Sequence, residues 1–398
     1  MKLGFYVPSW PMGLHPNGIT TYVASVIPEL KKMGHSVDIV SRILGPGIDV
    51  RDHVHPMEHP GNSMLQKVLW RFAKSEALYQ LAAQSLVNAV KVLDRSQALD
   101  LFEIDEAFGV AAALRSQIRL SVVLRLHGPW FLVGPPGADQ ARTRREGRAI
   151  RSVGAFSAPS QFVHDAVREF YRLPGTYSSC VIPNPIADVA PGEVWKRDSS
   201  DPDTLLFVGR LDHLKGADIC LDAFVKAKQT LPNLKLVLVG PDLGIDSSSG
   251  WVSFREYIAS SLPPDVAASI SIIGGLPPPA VREQRLRASV MLICSRFESF
   301  SYTVAEAAIQ GCPIIASRVG GIPEIIQDGV NGRLYEKHDP GHLARLIVET
   351  HRNPTLASQL GAQARVDALA RYQPAPVASQ LVSFYREIVA REAHNAKH

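Results

Sequence analysis

"TLLFVGRLDHLKGADICLDAF" spans Thr204–Phe224. An apolar run ends at Gly209, Arg210 and Lys215 stand in the turn that follows, and Gly216 opens a helical stretch. Strand, turn and helix in that order make half of a βαβ unit. The rhythm continues downstream in the runs "LKLVLVG", "SISIIGG", "VMLICS" and "PIIAS", with helical patterns between them. Upstream it is present in "KLGFYV", "SVDIVS", "LDLFEI", "SVVLRLH", "VGAFSA" and "SCVIP". Strands alternating with helices indicate an α/β fold with a parallel, doubly wound sheet. Residues 184–203, "NPIADVAPGEVWKRDSSDPD", separate the two series. They are polar and Pro-rich with no period, so they read as a linker.

The chain therefore divides into two Rossmann-like domains, residues 1–183 and 204–374, facing a cleft. A C-terminal helix follows at about 375–398 in "APVASQLVSFYREIVAREA". Ligands of such sheets bind beyond the C-terminal ends of the strands. Bulk composition agrees. The chain has 398 residues, 46% hydrophobic and 20% charged. That suits two domains and excludes disordered and collagen-like classes. A net charge of +4 does not argue for nucleic acid. Cys180, Cys220, Cys294 and Cys312 form no C-x-x-C pair. They read as free thiols of a reducing compartment. The N-terminal apolar run is cut by Pro8, too early for a signal peptide, and no uncharged stretch approaches a membrane span. The expectation is a cytoplasmic protein, soluble or peripheral at the inner face of the membrane.

The turn after Thr204–Gly209 joins a helix N-terminus to two cations, which suits phosphate. It is neither a P-loop nor a G-x-G-x-x-G fingerprint. Its alternative reading is a solvated basic turn. "ESFSYTVAEAAIQG", Glu298–Gly311, also follows a strand and opens a helix. Ser299 or Ser301 is placed to cap that helix. Glu298 sits at the strand's C-terminal edge and Glu306 lies one to two turns into the helix. They can grip hydroxyls on either side of a diphosphate, or serve as a cap and a surface charge.

"GRLDHLKG", the two glutamates and "GCPIIASRVGGIPEIIQDGVNG" together resemble the retaining family-4 glycosyltransferases of the GT-B fold. The resemblance is strong over most of 204–335 and weaker upstream. It implies a hexosyltransferase-type enzyme that uses a nucleotide-diphosphate-sugar donor and a glycan or lipid-linked acceptor, in polysaccharide or glycolipid synthesis. By the same resemblance Gly209, Arg210 and Lys215 hold the donor diphosphate. Glu306 holds the ribose, and Glu298 the donor sugar. Amides near Phe300 and Ser301 touch the phosphates. Many members have Gly where this chain has Ser301. "HPNGITTYVASV" resembles the family's glycine loop, with Gly18 near the reaction centre and Asn17 in place of the first glycine. "LRLHGPW" puts His127 at a strand end, as the family's active-site histidine. The implied catalytic set is His127, Arg210, Lys215 and Glu298, with neither metal nor other cofactor.

In "LFEIDEAF", Glu103 and Asp105 end a strand; they bind acceptor hydroxyls or act as plain caps. Trp130 joins this tentative acceptor set. Asp201–Asp203, "DPD", has D-x-D spacing but precedes a strand, so it reads as a turn and not a metal site. A segment near 64–94 repeats apolar residues at helical spacing. There Lys67, Arg71 and Lys74 flank Trp70. With Arg142, Arg144, Arg145, Arg148 and Arg151 they suggest an anionic membrane surface as partner, or simply a solvated helix face. An epimerase on the same architecture and a non-catalytic nucleotide-sugar-binding subunit are the competing readings.

Overall fold

A computed structural model of the chain describes residues 1–14, 17–48, 53–57, 74–134, 137, 139–247 and 250–395. It divides into two compact units, Met1–Pro185 with Pro374–His398, and Ile186–Gln373.

Unit 1 is built on seven strands: β1 Lys2–Trp10, β2 Ser36–Leu44, β3 Val54–Pro56, β4 Leu101–Asp105, β5 Ser121–Arg125, β6 Ala155–Ala158 and β7 Ser178–Val181. They run parallel in the order β3-β2-β1-β4-β5-β6-β7. β4 and β6 are buried along their whole length, as continuous apolar runs covered on both faces must be. The helix Pro374–Asn395 returns to this unit. Val377, Leu381, Tyr385 and Ile388 recur at helical spacing and are all buried. Each apolar side chain buried this way contributes roughly 1.5–3 kcal/mol.

Unit 2 carries β8 Asp201–Val208, β9 Lys235–Val239, β10 Ile245–Ser247, β11 Gly250–Val252, β12 Ile270–Gly274, β13 Ala288–Ile293, β14 Ile314–Ser317 and β15 Arg333–Tyr335. β10 and β11 pair as an antiparallel hairpin. The other six form a parallel sheet in the order β12-β9-β8-β13-β14-β15.

In each sheet the strand order reverses once, between β1 and β4 in unit 1 and between β8 and β13 in unit 2. The loops beyond the C-terminal ends of those strands flank the switch points where ligands of open α/β sheets bind.

Some elements differ from expectation. β3, β15 and the hairpin strands are three residues long, too short to show a period. Asp201–Asp203 does not form a separate turn: it begins β8. There Asp201 takes hydrogen bonds from Thr204 and Lys235, and Asp203 meets His351 Nε2 at 2.8 Å. Both carboxylates are thereby engaged. The long apolar segment is helical over Lys74–Gln97. Lys67, Trp70 and Arg71 lie outside the described residues. All four cysteines are free.

Candidate active site

In unit 2 the turn after β8 is fixed by close backbone approach. Gly209 N donates to the Val239 carbonyl at 2.9 Å. Asp212 organises the turn: Oδ1 accepts from Lys215 N and Oδ2 from Arg210 Nε, each at 2.7 Å. Gly216 then adopts φ +70°, and a Cβ there would lie 1.9 Å from the Cys294 carbonyl oxygen. Only glycine meets both conditions. The turn is thus seated on the end of β13. Arg296 completes the junction by pairing with Asp218 in the first turn of helix Ala217–Lys228.

That junction brings Lys215 to Glu298. Lys215 Nζ donates to Glu298 Oε1 at 2.7 Å, and Ser295 Oγ donates to the same oxygen at 2.7 Å. Glu298 is held from behind as well. Its carbonyl accepts from Gly321 N at 3.0 Å. A Cβ on Gly320, at φ +52°, would fall 1.9 Å from that carbonyl oxygen. Arg210 extends toward solvent with its side chain 47% exposed.

Helix Tyr302–Gln310 begins beside this pair, with Ser301 at its N-cap position. Here the capping expectation for Ser301 fails. An N-cap side chain needs extended backbone to reach the first-turn amides. Ser301 sits at φ +75°, makes no capping bond, and its buried hydroxyl has no hydrogen-bond partner. The position has the left-handed backbone that favours glycine. The N-terminus of a helix favours an anion. Phe300 is buried with its ring edge-on to Tyr302 and Tyr372, so only its backbone is available to a ligand.

Glu306 has a separate partner. Arg285, in helix Pro278–Arg287, donates to Glu306 Oε2 through one terminal nitrogen and to Gln310 Oε1 at 3.2 Å through the other. Arg285 is 3% exposed, whereas the Glu306 side chain is 42% exposed. Sequence reading missed Arg285. Within "REQRLRAS" nothing distinguishes an inward arginine from its solvated neighbours.

In unit 1, helix Gly18–Lys32 starts at Gly18 and is capped by Asn17, whose Oδ1 accepts from Ile19 N at 2.8 Å. The asparagine in place of glycine is therefore a helix cap. His127 follows β5. Its backbone N–H reaches Glu106 Oε2 at 2.9 Å, and Gly128 N reaches Glu106 Oε1 at 2.6 Å. Its ring stands edge-on to Tyr22 with centroids 5.6 Å apart. Burial, reinforced by Arg125, holds the His127 pKa well below the usual range, so the ring is neutral at pH 7.

Of the three acceptor candidates, Glu103 and Asp105 are buried. Glu103 is 2% exposed and accepts the Tyr385 hydroxyl at 2.6 Å. It is a core acid beneath helix Pro374–Asn395, with no free face for an acceptor. Asp105 is also buried, and its Oδ1 accepts from Ala107 N at 2.8 Å, which is the local cap foreseen as the alternative. Trp130 donates its backbone N–H to Glu146 Oε2 at 2.7 Å, and its ring is covered by the Arg142 guanidinium at 4.0 Å. Glu106 and Glu146 went unrecognised because a buried glutamate has no sequence signature. Arg142 and Arg145, expected at a lipid surface, turn inward: Arg142 pairs with Glu146, and Arg145 with Glu76. Arg144, Arg148 and Arg151 stay exposed. Among the described residues no group of three or more His, Cys, Asp or Glu is placed to hold a metal, and no helix is long and apolar enough to cross a membrane.

Two family models match the chain. Glycosyl transferases group 1 covers residues 194–367, and Glycosyltransferase Family 4 covers residues 16–188. The chain belongs to glycosyltransferase family 4. This transferase is 26% identical to a D-inositol 3-phosphate glycosyltransferase of Thermobifida fusca, over 87% of its own length and 83% of the relative's. The same-named protein of Nocardiopsis dassonvillei is 27% identical, over 94% and 91%. Among solved structures, sucrose-phosphate synthase from Thermosynechococcus elongatus superposes with a TM-score of 0.75 at 20% identity, over 98% and 99% of the two chains. Anabaena HepE, solved with UDP, gives 0.72 at 18% identity, over 97% and 100%. The α/β, GT-B architecture of this family 4 transferase is thereby established.

Proposed function

We propose that this transferase moves a hexosyl group from a nucleotide-diphosphate sugar to a glycan or lipid-linked acceptor. The anomeric configuration is retained, and the product is a surface polysaccharide or glycolipid. The observation that carries the reading is the 2.7 Å contact between Lys215 and Glu298. It joins a cation suited to a leaving phosphate to a carboxylate suited to a sugar, beside the N-terminus of helix Tyr302–Gln310. Anabaena HepE has been solved with UDP-glucose, which supports a nucleotide-sugar donor here.

In this reading the diphosphate lies against Gly209, Arg210, Lys215 and the amides near Phe300 and Ser301. Glu306 holds the ribose. Negative charge grows on the diphosphate as the glycosidic bond breaks, and preorganised donors aimed at such charge contribute about 2.7–4 kcal/mol each. Arg210 and Lys215 do this work without a divalent metal. Positive charge grows on the sugar ring, where Glu298 stabilises it. The departing phosphate accepts the proton of the acceptor hydroxyl on the same face.

Exposed Arg144, Arg148 and Arg151 meet an anionic membrane surface, each contributing about 1 kcal/mol. Failure to sediment with anionic vesicles at low salt would refute that part.

The test of the reaction is donor turnover with and without acceptor, in EDTA, with the product anomer read by NMR. Transfer that needs an acceptor, survives EDTA and retains configuration is expected. Donor conversion without acceptor would indicate an epimerase, and an inverted product would overturn retention.

A further inference from the structure

Phe108 is 54% exposed at the C-terminal end of β4, two residues beyond Glu106, which holds the backbone of His127 and Gly128. An aromatic ring left in solvent is unremarkable alone. This one is fixed at unusual cost. Phe108 sits at φ +59°, a left-handed backbone that bulky residues avoid. Three groups hold it there. Buried Glu146 lies beside its backbone. Gly109, at φ +73°, packs so tightly on the Arg145 backbone that a Cβ would lie 2.4 Å away. The Arg142 guanidinium lies 4.3 Å from the Phe108 ring centroid and 4.0 Å from that of Trp130, and its Nε donates to Glu146 at 2.9 Å. One buried carboxylate thus organises a cation between two rings. Arg142 stands over the Phe108 ring, which still keeps more than half of its surface in solvent. Strained backbone held by its surroundings concentrates at functional sites.

Charge around this ring is one-sided. Asp105, Glu106 and Glu146 are buried beside it and are either neutral or negative, never positive. The cations nearby are committed. Arg142 is engaged as described, Arg145 pairs with Glu76 at 2.9 Å, and buried Arg125 donates to Ser157 and Asn184. Arg144, Arg148 and Arg151 lie on the opposite side of helix Gln140–Val153 from Arg142 and Glu146, as their spacing and exposure require. Of these arginines, then, none is left to meet an anionic group brought to Phe108, and desolvating such a group there is costly.

We infer that Phe108 is the stacking platform for the acceptor, and that the acceptor portion it receives is an uncharged pyranose ring. The apolar face of such a ring covers an aromatic face, while its hydroxyls reach the polar groups around His127. This deepens the transferase reading and rests on it. It also separates this chain from an enzyme whose acceptor carries a phosphate at this place.

The experiment is saturation-transfer NMR on the full chain. The probes are methyl glycosides of glucose, galactose, mannose and N-acetylglucosamine, with the 6-phosphates of the same hexoses alongside. Wild type and Phe108→Tyr should transfer saturation to at least one uncharged glycoside. Phe108→Gly, which keeps the left-handed backbone comfortable and removes only the ring, should weaken that binding by about tenfold. The phosphorylated sugars should show at least about tenfold weaker binding, the equivalent of 1.4 kcal/mol. The proposal is overturned if no uncharged glycoside binds, if binding survives Phe108→Gly, or if the phosphates bind better. Calorimetric titration of the same samples with UDP, GDP and ADP reports separately on the donor reading. Glycoside binding without nucleotide binding would sink that reading and leave the platform standing.

Discussion

Lys215 Nζ and Glu298 Oε1 meet at 2.7 Å across 83 positions of sequence. The two side chains are 27% and 11% exposed, so each is the other's main compensation in a partly dry place. They should act as one unit. Lys215→Met is expected to lower turnover by about 10²–10³-fold, the scale of one transition-state electrostatic contact. Adding Glu298→Gln to it should cost much less than the two single losses combined. Fully additive losses in steady-state turnover would show that the ion pair is incidental.

Glu298 is also held through its backbone. Gly320→Ala places a Cβ into the Glu298 carbonyl and forces a left-handed alanine. A displacement of about 1 Å at the sugar end should lower kcat by roughly 10²-fold. Gly175→Ala, with nothing within 4 Å of its Cβ, is the matched control. Kinetics and thermal melts of both variants check this. A Gly320→Ala protein with unchanged kcat would mean that the loop does not position Glu298.

Glu306 depends on Arg285 for its orientation. Lysine cannot bridge Glu306 and Gln310 as the arginine fork does. Arg285→Lys should therefore raise the donor KM about tenfold, as the loss of one charged hydrogen bond would, while kcat changes little. The ribose is unaltered by the reaction, so its grip is felt equally in ground and transition states. A fall in kcat at constant KM would place Glu306 nearer the chemistry than the ribose.

The strand-to-helix junctions of unit 2 were legible in sequence because they lie in turns. Gly209–Gly216 and Glu298–Ser301 each end an apolar run and begin a helix, and such junctions show in the order of residues. The partners that aim those groups were not legible. Arg285, Gly320 and Ser295 act through packing between distant segments, and burial does not show in a local pattern. Unit 1 was read less well for the same reason. Glu103 looked like a strand-end ligand, yet Tyr385, 282 positions away, covers it. Phe108 stood inside "EAFGV" as an ordinary apolar residue, and only its backbone conformation singles it out.

Unit 1 should respond to pH. Burial, with Asp105 and Glu146 adding repulsion, raises Glu106 from 4.5 to about 8. Asp105 rises to about 7 for the same first cause. A carboxyl with a raised folded-state pKa binds protons more tightly folded than unfolded. Its stabilisation is full below the unfolded value and is lost as pH rises through the folded one. Thermal stability should thus decline as pH rises from 4.5 toward about 8. Glu106→Gln, which removes the titration, should flatten that decline in melting curves taken across the range. An equally steep decline in the variant would assign it to other groups.

In the proposed reaction unit 2 holds a nucleotide diphosphate through groups that divide ribose from sugar. Calorimetric titration with UDP, GDP and ADP in EDTA tests it on wild type, Glu306→Gln and Glu298→Gln. One diphosphate should bind wild type without metal, bind Glu306→Gln about tenfold more weakly, and bind Glu298→Gln with nearly unchanged affinity. Absence of any diphosphate binding, a requirement for Mg²⁺, or loss of the nucleotide by Glu298→Gln while Glu306→Gln keeps it would contradict these roles.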